Sequence, residues 1–199
     1  MTAPPILIVF AGPNGSGKST LAGRMRTRDP LFPSLHINAD DIAKERTMSS
    51  LDAAIEADRQ RNEAIRNKQS FATETVMSTG GKIDFMKHAK AAGYEVTLVY
   101  ITTQDDKINL GRVEARVATG GHDVPPEKTV TRYKKSMALL AGALAVADIA
   151  SIFNNSFENP ILIAQKTSDG QIALRPQPRP SIWTEENIME LLGLSGPSI

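Results

Sequence analysis

The segment Gly12-Pro13-Asn14-Gly15-Ser16-Gly17-Lys18-Ser19 constrains the fold of this chain more than any other. It matches G-x-x-x-x-G-K-[ST], follows directly on the apolar run Ile6 to Ala11 and opens a predicted helix from Lys18 to Arg28. A loop of this kind needs a strand before it and a helix after it, so the chain is committed to a strand–loop–helix unit. Glycines at 12, 15 and 17 let the backbone curl until its N–H groups face one point at the positive end of the helix, a cradle for phosphate. Gly12, Pro13, Asn14, Gly15, Ser16, Gly17, Lys18, Ser19 and Thr20 are the residues expected to hold a nucleotide. Lys18 would reach the β- and γ-phosphates, Ser19 would ligate Mg²⁺, and Thr20 would help at the α-phosphate. A chance glycine-rich turn leaves the order of strand, loop, lysine, hydroxyl and helix unexplained. The only Asn-Lys pair, Asn67-Lys68, continues as Gln69-Ser70 and not towards a guanine-reading Asp, so ATP is the expected nucleotide.

The rest of the chain continues the pattern. Apolar runs at 6–11, 35–39, 70–73, 94–102 and 149–153 alternate with helical stretches at 18–28, 51–69, 81–92, 107–119 and 127–147. That alternation predicts an α/β fold, a doubly wound parallel sheet of about five strands. The stretch 51–69 is strongly polar and reads as a mostly exposed helix beside the cleft. Beyond it, runs at 161–167 and 171–174 flank Ser168-Asp169-Gly170 and predict a terminal hairpin. Prolines within 176–180 then lead to a short helix near 185–192, which Trp183 is expected to pack on the sheet.

With 41% hydrophobic residues over 199 positions, one core and a single domain spanning 1–199 are expected. A lid at about 107–130 and a C-terminal hairpin and helix at about 158–195 belong to it. Twenty-three basic against 22 acidic residues give a net charge of +1, no global reason to expect nucleic acid or a membrane as partner. The absence of cysteine excludes disulfides and thiolate metal sites. Apolar stretches fall short of the roughly 20 residues that span a bilayer. A cytoplasmic monomer is the expectation.

The acids that bear on the reaction follow the shorter strands: Asp40 and Asp41 after 35–39, and Glu74 after 71–73. Carboxyl ends of strands converge on the ligand crevice of such a sheet, so these side chains reach the space beyond a γ-phosphate. Asp40 is the candidate general base for an acceptor hydroxyl, with helix N-capping as its competing role. Glu74 is the candidate for a substrate polar group or a Mg²⁺-bound water. Arg112 and Arg116 share one helical face ahead of Gly120-Gly121-His122-Asp123-Val124-Pro125-Pro126, a glycine-hinged segment suited to closing over phosphate. Arg116 is the first choice for transition-state contact, Arg112 the second and Arg132 the third; the alternative is surface ion pairing, for instance of Arg112 with Glu114. His122 is a substrate-contact candidate or a turn residue. These features favour a small-molecule kinase. A partner-regulated ATPase and a polynucleotide 5′-hydroxyl kinase are its rivals, the latter needing a basic track.

Taken in order, Gly12 to Thr20, Ile37-Asn38-Ala39-Asp40-Asp41, Phe71-Ala72-Thr73-Glu74-Thr75, Arg116 with Gly120 to Pro125, and Asn154-Asn155-Ser156 resemble the zeta-toxin family of P-loop kinases, in particular its short stand-alone bacterial members. The resemblance covers roughly residues 6 to 156. It implies a fold similar to nucleotide and shikimate kinases, and ATP- and Mg²⁺-dependent transfer to a hydroxyl of a small acceptor such as UDP-N-acetylglucosamine or another sugar nucleotide. By the same resemblance Lys18 and Ser19 handle phosphate and Mg²⁺, Asp40 accepts the proton, Glu74 holds substrate, Arg116 contacts phosphate and Asn155 lies near the adenine. An antitoxin protein is the partner it implies. Where longer family members carry a second lid arginine, this chain has His122.

Overall fold

The computed structural model describes residues 3–121, 123–175 and 184–194. Its centre is a seven-stranded sheet in the order β2-β3-β1-β4-β5-β6-β7. The strands β1 (Ile6–Ala11), β2 (Leu35–Ile37), β3 (Phe71–Thr75), β4 (Glu95–Thr102) and β5 (Ile149–Asn154) run parallel. The predicted hairpin, β6 (Ile161–Lys166) and β7 (Ile172–Leu174), joins the same sheet antiparallel beside β5. Chain order reverses around β1, which has β3 on one side and β4 on the other. The crevice of a doubly wound sheet opens at that switch point, beyond the carboxyl end of β1.

Alternation along β1 explains the layering, because successive side chains of a strand point to opposite faces. Leu7, Val9 and Ala11 enter the larger core cluster with Leu98, Tyr100 and Leu140, while Ile8 and Phe10 enter a smaller one with Val99, Ile101 and Ala22 of helix α1 (Lys18–Arg28). The larger side is covered by α3 (Ser50–Arg66), α4 (Gly81–Ala91) and α6 (Pro126–Val146), and α7 (Glu185–Leu191) adds Ile188. Among the described residues no helix is long and apolar enough to cross a membrane. The prolines at 176–180 and Trp183 lie outside the described residues.

Two strand boundaries differ from the sequence expectation, and each has a local cause. Strand β2 stops at Ile37 because Asn38 turns the chain as an N-cap, its side chain accepting from the Asp40 N–H at 3.0 Å, and a short helix α2 (Ala39–Arg46) begins. Asp40 and Asp41 thus stand in a first helical turn, where the dipole favours carboxylates, and neither is the cap. Strand β3 runs to Thr75, so Glu74 lies within the strand, in register with Phe10, instead of after it. Helix α3 is largely exposed, as expected, but one face is buried through Ala53, Ala57, Arg61, Ala64 and Ile65. Its inner face is mainly alanine, which packs closely while adding little hydrophobic signal, and the charges of Arg59 and Glu63 pair on the outer face.

Leu140 of α6 is fully buried in the larger cluster, whereas Leu31 is 84% exposed. Leu140→Ala should therefore cost about 2–5 kcal/mol in urea unfolding, and Leu31→Ala should change stability by less than about 0.5 kcal/mol.

Candidate active site

The loop between β1 and α1 is built on close backbone approach. Gly12 has φ of 143°, and a Cβ there would lie 1.9 Å from the carbonyl oxygen of Ile101 on β4. Gly17, at φ of 95°, backs onto Asn155, whose Nδ2 donates to the Ser16 carbonyl at 2.7 Å. Inside the loop the Ser16 N–H donates to the Pro13 carbonyl at 3.2 Å, and Lys18 Nζ folds back to that same oxygen at 2.8 Å. Asn155 therefore grips the loop directly. It also borders a cavity of about 190 Å³ with Thr20, Arg24, Arg112, Phe157 and Pro160.

On the other side of the loop lies a larger cavity of about 620 Å³. One wall is acidic. Ser19 Oγ donates to Glu74 Oε2 at 2.7 Å, and Glu74 Oε1 lies 3.5 Å from His36 Nε2. Asp40, on the first turn of α2, lines the same wall. Burial pushes the Glu74 carboxyl above its ordinary range, against the Ser19 hydrogen bond and the charge of Lys18. Burial likewise lowers Lys18 to about 8; Glu74 and Asp40 oppose the fall, and Arg116 adds to it. These four side chains are thus close enough to act on one another electrostatically.

The facing wall is cationic. Arg112 and Arg116 project from α5 (Asp106–Ala118) and Arg132 from α6, all lining the large cavity. No ion pair joins Arg112 to Glu114; Arg112 Nη1 is buried without a hydrogen-bond partner among the described residues, and the side chain borders both cavities. Arg116 packs under the turn that ends α5, where a Cβ on Gly121 would meet its Cγ at 2.5 Å. Arg132 Nη1 lies 3.4 Å from Asn14 Oδ1. His122 falls outside the described residues.

Several residues at this site were not singled out by sequence. Arg61 is buried, donating to Thr73 Oγ1 at 3.0 Å and to Asp58 Oδ1 at 2.5 Å, with its guanidinium 5.9 Å from the Phe85 ring centre. With Lys82 it lines the far end of the large cavity. The signal for Arg61 was its spacing, since it falls on one helical face with Ala53, Ala57 and Ala64. Asn109, which donates to the Asn14 carbonyl of the loop, and His36, which lies beside Glu74, carry no motif that marks them.

The donor set at Ser19 suits a hard cation: a hydroxyl and nearby carboxylates, all oxygen. Among the described residues no cluster of three or more His, Cys, Asp or Glu is arranged to hold a metal. A cation here would thus be completed by phosphate oxygens and water, as Mg²⁺ commonly is in phosphoryl-transfer sites.

The zeta-toxin family model matches residues 2–165, and that range contains the loop, both walls and the five parallel strands. The chain belongs to the zeta-toxin family. An uncharacterized protein of Haemophilus influenzae is 35% identical over 131 residues, which are 63% of this chain and 91% of that one. Among solved structures, a chain of the AvrRxo1-ORF1:-ORF2 complex with ATP superposes at a TM-score of 0.68 with 17% identity, over 99% of this chain and 65% of that one. A chain of the PezAT chromosomal toxin-antitoxin system of Streptococcus pneumoniae gives 0.60 with 17% identity, over 98% of this chain and 81% of that one. This zeta-toxin chain thus spans about two thirds of the AvrRxo1 relative's length. The structural likenesses show a shared α/β fold over nearly the whole chain.

The enclosed Lys18 of this family member has a direct signature. After ¹³C reductive methylation, one lysine resonance should titrate near pH 8, well below ordinary lysines at roughly 10.4, and vanish in Lys18→Ala. Because bound anions favour the charged form, tripolyphosphate should move that midpoint upward. A full set of ordinary midpoints would contradict the enclosure.

Proposed function

We propose that this zeta-toxin family member is an ATP- and Mg²⁺-dependent kinase that transfers the γ-phosphoryl group to a hydroxyl of a small acceptor. The observation that carries the reading is one cavity in which the loop bearing Lys18 and Ser19 lies between an acid wall with Asp40 and Glu74 and an arginine wall with Arg112, Arg116 and Arg132. ATP as donor is supported by the full loop motif and by the fold shared with a chain from an ATP complex.

In this reading the backbone N–H groups of residues 12–17 and the Lys18 ammonium bind the β- and γ-phosphates. Mg²⁺, held through Ser19 Oγ, would offset phosphate charge and keep the chain of phosphates aligned. Glu74, which accepts from Ser19 and lies beside His36, would orient a polar group of the acceptor or of the cation's water shell. Asp40 takes the proton of the acceptor hydroxyl as its oxygen bonds to Pγ, the bond from Pγ to the β-phosphate oxygen breaks, and ADP leaves. Arg116, with Arg112 beside it, meets the charge spread over the equatorial oxygens. Thr20 and Asn155 face the nucleotide side through the smaller cavity. A sugar nucleotide, UDP-N-acetylglucosamine first, is the acceptor proposed, and an antitoxin protein the proposed partner.

Two substitutions and one assay test this. Lys18→Ala should abolish ADP release from Mg-ATP. Asp40→Asn should leave ATP affinity within about threefold while lowering transfer by about 10²-fold or more; undiminished transfer would remove Asp40 from the chemistry. The assay follows ADP and the acceptor's mass with and without UDP-N-acetylglucosamine and other sugar nucleotides. One added phosphoryl mass is the expected result, and ADP release with every acceptor unmodified would favour a partner-regulated ATPase.

A further inference from the structure

The phosphate loop is held from the arginine side by a residue with no part in the motif. Asn109 is on the first turns of α5 and is fully buried. Both ends of its carboxamide are engaged: Nδ2 donates to the Asn14 carbonyl at 2.5 Å, and Oδ1 accepts from the hydroxyl of Thr103, itself fully buried just past β4. The backbone is equally close, since a Cβ on Gly15 would lie 2.4 Å from the Asn109 carbonyl oxygen. Tyr133 of α6 donates its hydroxyl to the Thr103 carbonyl at 2.7 Å, and Arg132 reaches Asn14 Oδ1. Asn14 and Thr103 are thus points where the loop, the end of β4 and both arginine-bearing helices meet.

Helical spacing gives that contact its consequence. Residues 109, 112, 113 and 116 fall on one face of α5, the face on which Val113 is buried and both arginines reach the cavity. Arg116 lies seven residues, about 10 Å, along the axis from the hook at Asn109. A tilt of about 6° at the hook would therefore carry Arg116 by about 1 Å, and a misplacement of that size costs roughly 10²-fold in rate. We propose that Asn109 is a positioning residue that ties α5 to the phosphate loop and so sets Arg112 and Arg116 over the phosphates. The inference rests on the phosphotransfer reading only in giving those arginines their targets.

The test uses two substitutions. Asn109→Asp keeps the shape and the acceptor facing Thr103, but turns the donor facing the Asn14 carbonyl into an acceptor; Asn109→Ser removes the hook without adding charge. Both should lower kcat for ADP release by about 10²-fold, at a temperature where circular dichroism shows each variant folded, while KM for ATP moves by less than about threefold. In a background carrying both Arg112→Ala and Arg116→Ala, either substitution should cost less than about threefold more, because the two residues through which Asn109 acts are already gone. Multiplying losses, or unchanged kcat with only a lowered Tm, would make Asn109 a stability residue and overturn the proposal; so would a loss confined to the Asp variant. If the unmodified protein releases no ADP, the kinase reading fails by itself, and the tie is read from amide hydrogen exchange along α5. Faster exchange over residues 110–118 in both Asn109 variants upholds it, and unchanged exchange overturns it.

Discussion

The carbonyl oxygen of Ile101 stands 1.9 Å from where a methyl group on Gly12 would be, and the site depends on the contact that the missing side chain permits. Because the loop can lie against the end of β4, its turn is set by the sheet and not by its own sequence alone. Neighbouring contacts continue the clamp: Asn155 beyond β5 holds the Ser16 carbonyl, and Asn109 holds the Asn14 carbonyl. A loop gripped at successive carbonyls has its N–H groups already turned the other way. Orientation of those dipoles before an anion arrives is what makes such loops effective, since little reorganisation remains to be done on binding.

That geometry encloses a cation, and the acid wall answers the cost. Lys18 is enclosed enough to lose affinity for its proton, while Glu74 and Asp40 restore part of it. Glu74 in turn is buried enough to resist ionisation, and the Ser19 hydroxyl and Lys18 counter that resistance. Lys18 and Glu74 are thus each influenced by the other's charge. Strongly perturbed, mutually dependent groups lining a cleft are a common mark of a reactive site. Here they coincide with the loop that a phosphate-binding motif identifies independently.

The sheet was legible because its signals are local. Near-continuous apolar runs marked β1 and β4, and the loop motif carried both its strand and its helix. Features that depend on distant contacts were not legible. Helix α2 is short and is capped by Asn38, so the N-capping role open to Asp40 in the sequence falls two residues earlier. The buried face of α3 is written in three alanines, Arg61 and Ile65, so the polar composition of the segment gives little sign of it. Asn155 was placed near a base from family likeness, whereas its bond to the Ser16 carbonyl comes from the pairing of β5 with β4. The competing surface pairing of Arg112 with Glu114 does not form, because residues two apart on a helix point to nearly opposite sides: Arg112 lines the cavity and Glu114 is exposed.

The two walls of the large cavity are held by different means. On the acid side, Thr73 of β3 donates to the Ile37 carbonyl at 2.8 Å and accepts from Arg61, so the end of β2, the strand carrying Glu74 and helix α3 are joined by buried bonds. Asp40 follows from that seam, two residues past Asn38. On the arginine side the cations stand on two helices that meet the loop through Asn14, and Val124, between those helices, is buried and lines the cavity. Position on the first wall is thus inherited from the sheet, while position on the second is set by a few side-chain contacts. Groups that must meet a ligand in one geometry are best placed on the first kind of support, and groups that must gather around it after it enters on the second.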